Sequence, residues 1–280
     1  MILNLFKRII ILFYLITPSL VWSQSLNLAT GNNDQPVEIT ADNGIEWQRD
    51  KQIMIASGKA KAIRGEASVE ADTLRAFYKK NKNGSSNLFR LDAIGRVKIT
   101  SPTQKLTGEM GIYDLTKGIL VLTGKKVSLI SGKNVITANQ QLEFYEKKEM
   151  AVARKNARAN HDGKVLRADT LVALFFKDKN GKTQLSRVQA FDNVRLVNNT
   201  ESIWADKGIY DVNSSIATLD GNVRITRTGS QLSGDSAIIN LNTGVSKLLT
   251  NPVAQSSTGK KNQKFQKKKR VRGYLQPTIK

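Results

Sequence analysis

The 280-residue sequence predicts an all-β protein of stacked antiparallel strand pairs, and three patterns carry that prediction. A small residue followed by an acid or amide recurs at Ala41-Asp42, Ala71-Asp72, Gly108-Glu109, Ala138-Asn139, Ala168-Asp169, Ala205-Asp206 and Gly234-Asp235, at spacings of 30, 37, 30, 30, 37 and 29 residues. A ladder of this kind means that one supersecondary unit is stacked seven times. A shift of 97 then superimposes longer segments: Ala71-Asp72-Thr73-Leu74 falls on Ala168-Asp169-Thr170-Leu171, and Gly111-Ile112-Tyr113-Asp114 on Gly208-Ile209-Tyr210-Asp211. A threefold unit has been duplicated and a seventh unit added. Within each unit, apolar and polar residues alternate, as in Val37, Ile39 and Ala41 against Glu38, Thr40 and Asp42, or Val97 and Ile99 against Arg96 and Lys98. Period two is the signature of a strand with one apolar face.

From the N-terminus, residues 1–23 read as a signal peptide. Lys7 and Arg8 precede the apolar run Ile9–Ile16, Pro18 ends it, and Val21-Trp22-Ser23 offers a cleavage site before Gln24. Residues 24–36 read as a linker. The repeat domain spans 37–254, two strands per unit of roughly six to ten residues each, about fourteen strands or slightly more. Asn83-Gly84 and Asn180-Gly181 are type I′ hairpin signals, and Thr123-Gly124 and Asp220-Gly221 read as further turns. The longer units differ from the shorter ones by the polar tips KKNKNGSSN and KDKNGKTQ. Alternation alone leaves two interiors open, one filled with side chains and one held apart as an apolar trough. Residues 255–280 read as a basic, disordered tail.

The formal charge of +21 is unevenly spread. The tail from Gly259 onward carries nine cations and no acid, and the leader two more, which leaves about ten on the repeat domain. Behind a signal peptide such a balance suits phosphorylated lipid or an acidic surface rather than nucleic acid. There is no Cys and one His, His161, in the turn-like NHDG, so thiolate chemistry and zinc hydrolysis have no residues to work with. No phosphate-binding glycine loop, H-E-x-x-H or G-x-S-x-G is present. The repeated acids read as strand-end turns and partners of basic side chains. The expectation is a non-enzyme with no catalytic residues, no metal and no cofactor.

The segments DQPVEITAD at 34–42 and GIYDLTKGILVLTGKKVSL at 111–129, with the basic tail after Asn251-Pro252-Val253, resemble the OstA-like family of lipopolysaccharide-transport proteins. The resemblance spans nearly the whole repeat region. It implies a V-shaped antiparallel β-jellyroll, open along one side so that acyl chains lie in an apolar trough. It further implies a periplasmic lipopolysaccharide carrier bridging the two membranes, joined through edge strands to inner- and outer-membrane components of the transport machinery and to further copies head to tail. Carried over by position, Val37, Ile39, Tyr113 and Leu115 would face the trough; the alternation adds Val97 and Ile99. The seventh unit and the enlarged hairpins depart from compact members of the family and leave open which strand is the C-terminal edge. Two other readings stay in view, a purely structural β-repeat protein and a membrane-anchored partner subunit of the same fold.

Overall fold

A computed structural model describes residues 37–80, 86–198, 201–240, 242–243, 245–250 and 270–275. The signal peptide, the linker and the Asn83-Gly84 turn therefore lie outside the described residues. The chain forms β1 (Glu38–Thr40), β2 (Ile45–Gln48), β3 (Ile53–Arg64), β4 (Ala67–Lys80), β5 (Ser86–Thr100) and β6 (Gln104–Asp114). Four short strands follow, β7 (Ile119–Thr123), β8 (Val127–Ser131), β9 (Asn134–Ala138) and β10 (Gln141–Tyr145), then a single 3-10 turn at Glu146–Lys148. The remainder is β11 (Met150–His161), β12 (Lys164–Lys177), β13 (Thr183–Val197), β14 (Glu201–Asp211), β15 (Ile216–Arg227), β16 (Ser230–Asn240), β17 (Ser246–Leu249) and β18 (Arg272–Leu275). All eighteen belong to one antiparallel sheet of stacked strand pairs, as the pattern predicts, in the β-jellyroll that the resemblance implies.

The strands are longer than expected because the chain bends within a strand instead of turning back. β5 and β13 each run for 15 residues. Register slips near the middle of each long pairing, where one strand carries one residue more than the strand it faces. Gly95 and Arg96 oppose Glu109, Lys155 and Asn156 oppose Asp169, and Asp192 and Asn193 oppose Asp206. The doubled residues are left-handed, with φ of 77° and 46° at Gly95 and Arg96 and 61° and 54° at Asp192 and Asn193. These are β-bulges, which bend a strand and sharpen its twist. Lined up across the sheet, they fold it into two limbs. β3, for example, pairs with β2 before its corner and with β1 after it.

The repeated doublet thus marks a corner, not a strand end. Its acid accepts from the corner residue of the following leg: Asp42 from Lys59 at 3.1 Å, Asp72 from Arg96 Nε at 2.8 Å, Asp169 from Asn193 at 2.8 Å and Asp206 from Asn222 at 2.8 Å. Inward residues step by three instead of two at continuous corners, from Ala71 to Leu74 and from Ala168 to Leu171. That extra residue keeps the same face inward on both sides of the bend. Three legs are interrupted at the corner, and β18 adds a strand from the expected tail, so among the described residues fourteen legs appear as eighteen strands. Gly124 and Gly221 lie at corners, and the hairpin reading of Thr123-Gly124 and Asp220-Gly221 is corrected accordingly. The Asn180-Gly181 turn is also not type I′. Only Gly181 has positive φ, and Gly181 N–H donates to Asp178 O at 2.9 Å, a type I turn closed by a left-handed glycine.

One apolar core takes side chains from both limbs, with Leu106, Leu122, Val97, Val127 and Val223 fully buried. Each such side chain stabilises the fold by about 1.5–3 kcal/mol relative to exposure. Among the described residues β1 and β2 pair only with β3, and β17 and β18 only with β16, so both ends of the stack present open edges. β18 belongs to the segment expected to be a disordered tail; Arg272–Leu275 instead pair with Ser230–Ser233. Residues 251–269 and 276–280 lie outside the described residues.

Candidate functional site

The interior does not fill evenly. Between the limbs of the second half lies a cavity of about 180 Å³ whose lining is almost wholly apolar. It is bounded by residues from β8 to β15, among them Ile136, Leu166, Leu171, Ala190, Leu196 and Ile203. An apolar cavity of this kind stays dry and takes apolar guests, because water inside it would find no hydrogen-bond partners. Alternation makes the lining: each strand sends every second side chain inward, and Ala at 159, 173 and 190 leaves space between the larger ones.

Polar groups gather at one margin, where β8 turns into β9. Asn134 Nδ2 donates to Ser131 O at 3.1 Å, so its Oδ1 must accept from His161 Nδ1, 2.7 Å away. His161 ends β11 and lines the cavity, which corrects its reading as a turn residue.

The six residues expected to face a trough lie in the first half. Val97, Ile99 and Tyr113 are buried in the core at 1–5% exposure, Ile39 and Leu115 are half-buried against it, and Val37 is exposed ahead of β1. None of the six lines the cavity. A shift of 97 carries five of them onto residues that do: Asn134, Ile136, Val194, Leu196 and Tyr210. The duplication was therefore the signal that could have found the cavity from sequence, although alternation cannot tell a filled interior from an open one. At the corresponding end of the first half, Tyr113 Oη donates to Glu146 at 2.6 Å. Burial, reinforced by that bond, pushes the Tyr113 hydroxyl well above the ordinary tyrosine range.

Two buried carboxylates near the cavity are held differently. Burial opposes the charge of Glu143, but hydrogen bonds from Arg154, Tyr145 and Gln141 outweigh it and keep its pKa below the usual range. Burial wins at Glu201, whose pKa is raised despite Arg227 Nε donating at 2.8 Å. Both are structural pairs joining neighbouring strands. Among the described residues no three His, Cys, Asp or Glu side chains gather as metal ligands, and no helix is long and apolar enough to cross a membrane.

A folded sheet with an apolar interior defines the class. The chain matches the family described as "LptA/(LptD N-terminal domain) LPS transport protein" over residues 38–150 and again over 136–245, and it belongs to that family. The double match reproduces the internal duplication. An uncharacterized protein of Rhizobium meliloti (strain 1021) is 34% identical over 134 residues, covering 44% of this chain and 72% of that relative. Among solved structures the chain is similar to LptH of Pseudomonas aeruginosa, described as the LptA-homologous periplasmic component of the lipopolysaccharide transport device. The identity is 11% and the TM-score 0.22, over 87% of this chain and 96% of that one.

Proposed function

We propose that this chain is a periplasmic lipopolysaccharide carrier of the LptA type, and that acyl chains occupy the apolar cavity of its second half. The observation that carries the reading is the cavity itself, apolar on nearly every wall, in a member of a lipopolysaccharide-transport family. Each exposed methylene costs about 0.8 kcal/mol in water, so a lipid with several acyl chains cannot cross an aqueous space unaided at a useful rate. A cavity between the limbs removes that cost while sugars and phosphates remain solvated. The first-half positions Val37, Ile39, Val97, Ile99, Tyr113 and Leu115 extend the path when the limbs part, giving one trough along the stack. The open edges at β1–β2 and β17–β18 are the joints. Backbone hydrogen bonds there receive the membrane components of the machinery or a second copy by strand addition.

The purified chain should capture lipopolysaccharide. Leu196→Asp, which places a carboxylate in the cavity wall, should weaken capture by about tenfold or more while the β-sheet circular dichroism is retained. Unchanged capture by a folded Leu196→Asp protein would place the lipid elsewhere.

A further inference from the structure

A single row of outward-facing residues can be followed through the cross-strand pairs from one end of the stack to the other, just beyond the corners. It runs Thr40, Lys61, Glu70, Lys98, Thr107, Ser128, Thr137, then Arg158, Arg167, Arg195, Trp204, Arg224, Ser233 and Arg272. The first half of the row is neutralised. Glu70 sits between Lys61 at 3.7 Å and Lys98 at 3.1 Å, and the Thr107 and Ser128 hydroxyls bond each other at 2.6 Å. In the second half the residue equivalent to Glu70 is Arg167, placed directly between Arg158 and Arg195. Among the described residues no carboxylate pairs with Arg158, Arg167, Arg195, Arg224 or Arg272. All five are exposed.

Like charges directly opposite on neighbouring strands repel and weaken a sheet, so strand pairing gives no reason for the run Arg158–Arg167–Arg195. Strands lie ~4.8 Å apart, which sets the arginines at one- and two-strand intervals along the outer surface. Trp204 is held within the line between the guanidiniums of Arg195 and Arg224, 5.3 and 4.5 Å from its ring centroid. Arginine presents a planar fork matched to phosphate, and tryptophan favours the interface between headgroups and hydrocarbon. The row faces away from the cavity, so a lipid in the cavity is separated from it by the sheet.

We infer that the outer face of β11–β15 docks on the phosphate-bearing surface of an anionic lipid bilayer, through Arg158, Arg167, Arg195 and Arg224 with Trp204 as an interfacial anchor. An array of lipid phosphates with hydrocarbon behind it is the occupant that an exposed, unneutralised row of guanidiniums flanking a tryptophan fits. This site is independent of cavity loading and holds the carrier against a leaflet with its interior free.

The test is co-sedimentation of the purified full chain with phosphatidylglycerol vesicles and with phosphatidylcholine vesicles, across a salt series. Binding should require phosphatidylglycerol and weaken as salt rises. The variant Arg158→Gln/Arg167→Gln/Arg195→Gln/Arg224→Gln should bind about tenfold more weakly or worse. A control that removes as many cations elsewhere, Lys79→Gln/Lys80→Gln/Lys105→Gln/Lys126→Gln, should change binding by less than about threefold. Arg158→Gln/Arg167→Gln alone should be at least as thermally stable as the parent, because it relieves repulsion. Equal losses in the arginine and control variants would overturn the inference by reducing the effect to net charge. Full competition by inorganic phosphate, or equal binding to a soluble acidic polypeptide, would overturn it in favour of an isolated phosphate site or an acidic protein partner.

Discussion

The two halves of the jellyroll, equivalent under a shift of 97 residues, share topology, corners and alternation, yet the cavity between the limbs lies in the second. The side chains are of the same kind. Val97 and Val194, Ile99 and Leu196, and Leu74 and Leu171 are matched pairs, and in each the second-half member is the less buried. Corner chemistry differs as well. In the first half the corner residue beside the acid is cationic, Lys59 on Asp42 and Arg96 on Asp72; in the second it is Asn193 on Asp169 and Asn222 on Asp206. In the first half Glu70 and the corner acids Asp42 and Asp72 are held in ion pairs. In the second half the corner acids meet amides, and the arginine row beside them is left without countercharge. One duplicated framework thus holds both its apolar cavity and its row of unpaired arginines in the second half.

The largest test of that division is the same substitution made in both halves. Ala93→Phe has no space to enter and should destabilise the fold by about 3 kcal/mol. Ala190→Phe grows into the cavity and should cost less than about 1 kcal/mol in a thermal or urea melt. Comparable losses at the two sites would mean that the cavity is not free volume.

Glu143 and its first-half equivalent Glu46 give a second contrast. Glu143 is buried among Arg154, Tyr145 and Gln141, whereas exposed Glu46 accepts only from Gln48 at 2.8 Å. Glu143→Gln should cost about 2 kcal/mol at neutral pH, discounted for the half-exposed Arg154, and Glu46→Gln less than about 0.5 kcal/mol. Because the folded pKa of Glu143 is depressed, its contribution is present above the unfolded value of about 4.3 and is lost as pH falls through the folded value. Urea melts along an acid series should show this component in the parent protein and not in Glu143→Gln.

The corners supply the third comparison. Gly95 holds φ of 77° with Asp72 packed against it, and Gly95→Ala should cost about 1–2 kcal/mol. Its equivalent Asp192 is already a non-glycine residue at φ of 61°, so Asp192→Gly should instead stabilise by about 0.5 kcal/mol. The smallest effect belongs to the outward row. Arg167→Glu would recreate the triad around Glu70 and should raise stability by about 0.5 kcal/mol, read as a small upward shift in Tm.

The fold was legible because its repeat is regular. The doublets gave the unit length, alternation gave the strands, and fourteen legs emerge as read. The meaning of the doublet was not legible, because period-two alternation looks the same whether a chain turns back or bends and continues. Asp220-Gly221 has hairpin composition, but its left-handed glycine serves a corner inside β15. Alternation made an apolar interior legible, but not where that interior leaves a cavity. Ile39 and Ile136 carry the same alternation, and only packing in three dimensions leaves space beside the second. His161 was misread for a related reason: its neighbours Asp162 and Gly163 form the turn, while it remains paired in β11.

Site-specific photocrosslinking in lipopolysaccharide-producing cells tests the central claim most directly, with the probe placed in turn at Ile136, at its outward neighbour Val135, and at the first-half pair Ile39 and Glu38. The account predicts lipopolysaccharide adducts at Ile136 and not at Val135, with Ile39 captured less strongly and Glu38 not at all. A folded protein that gives no adduct at Ile136, or equal adducts at Ile136 and Val135, would contradict it.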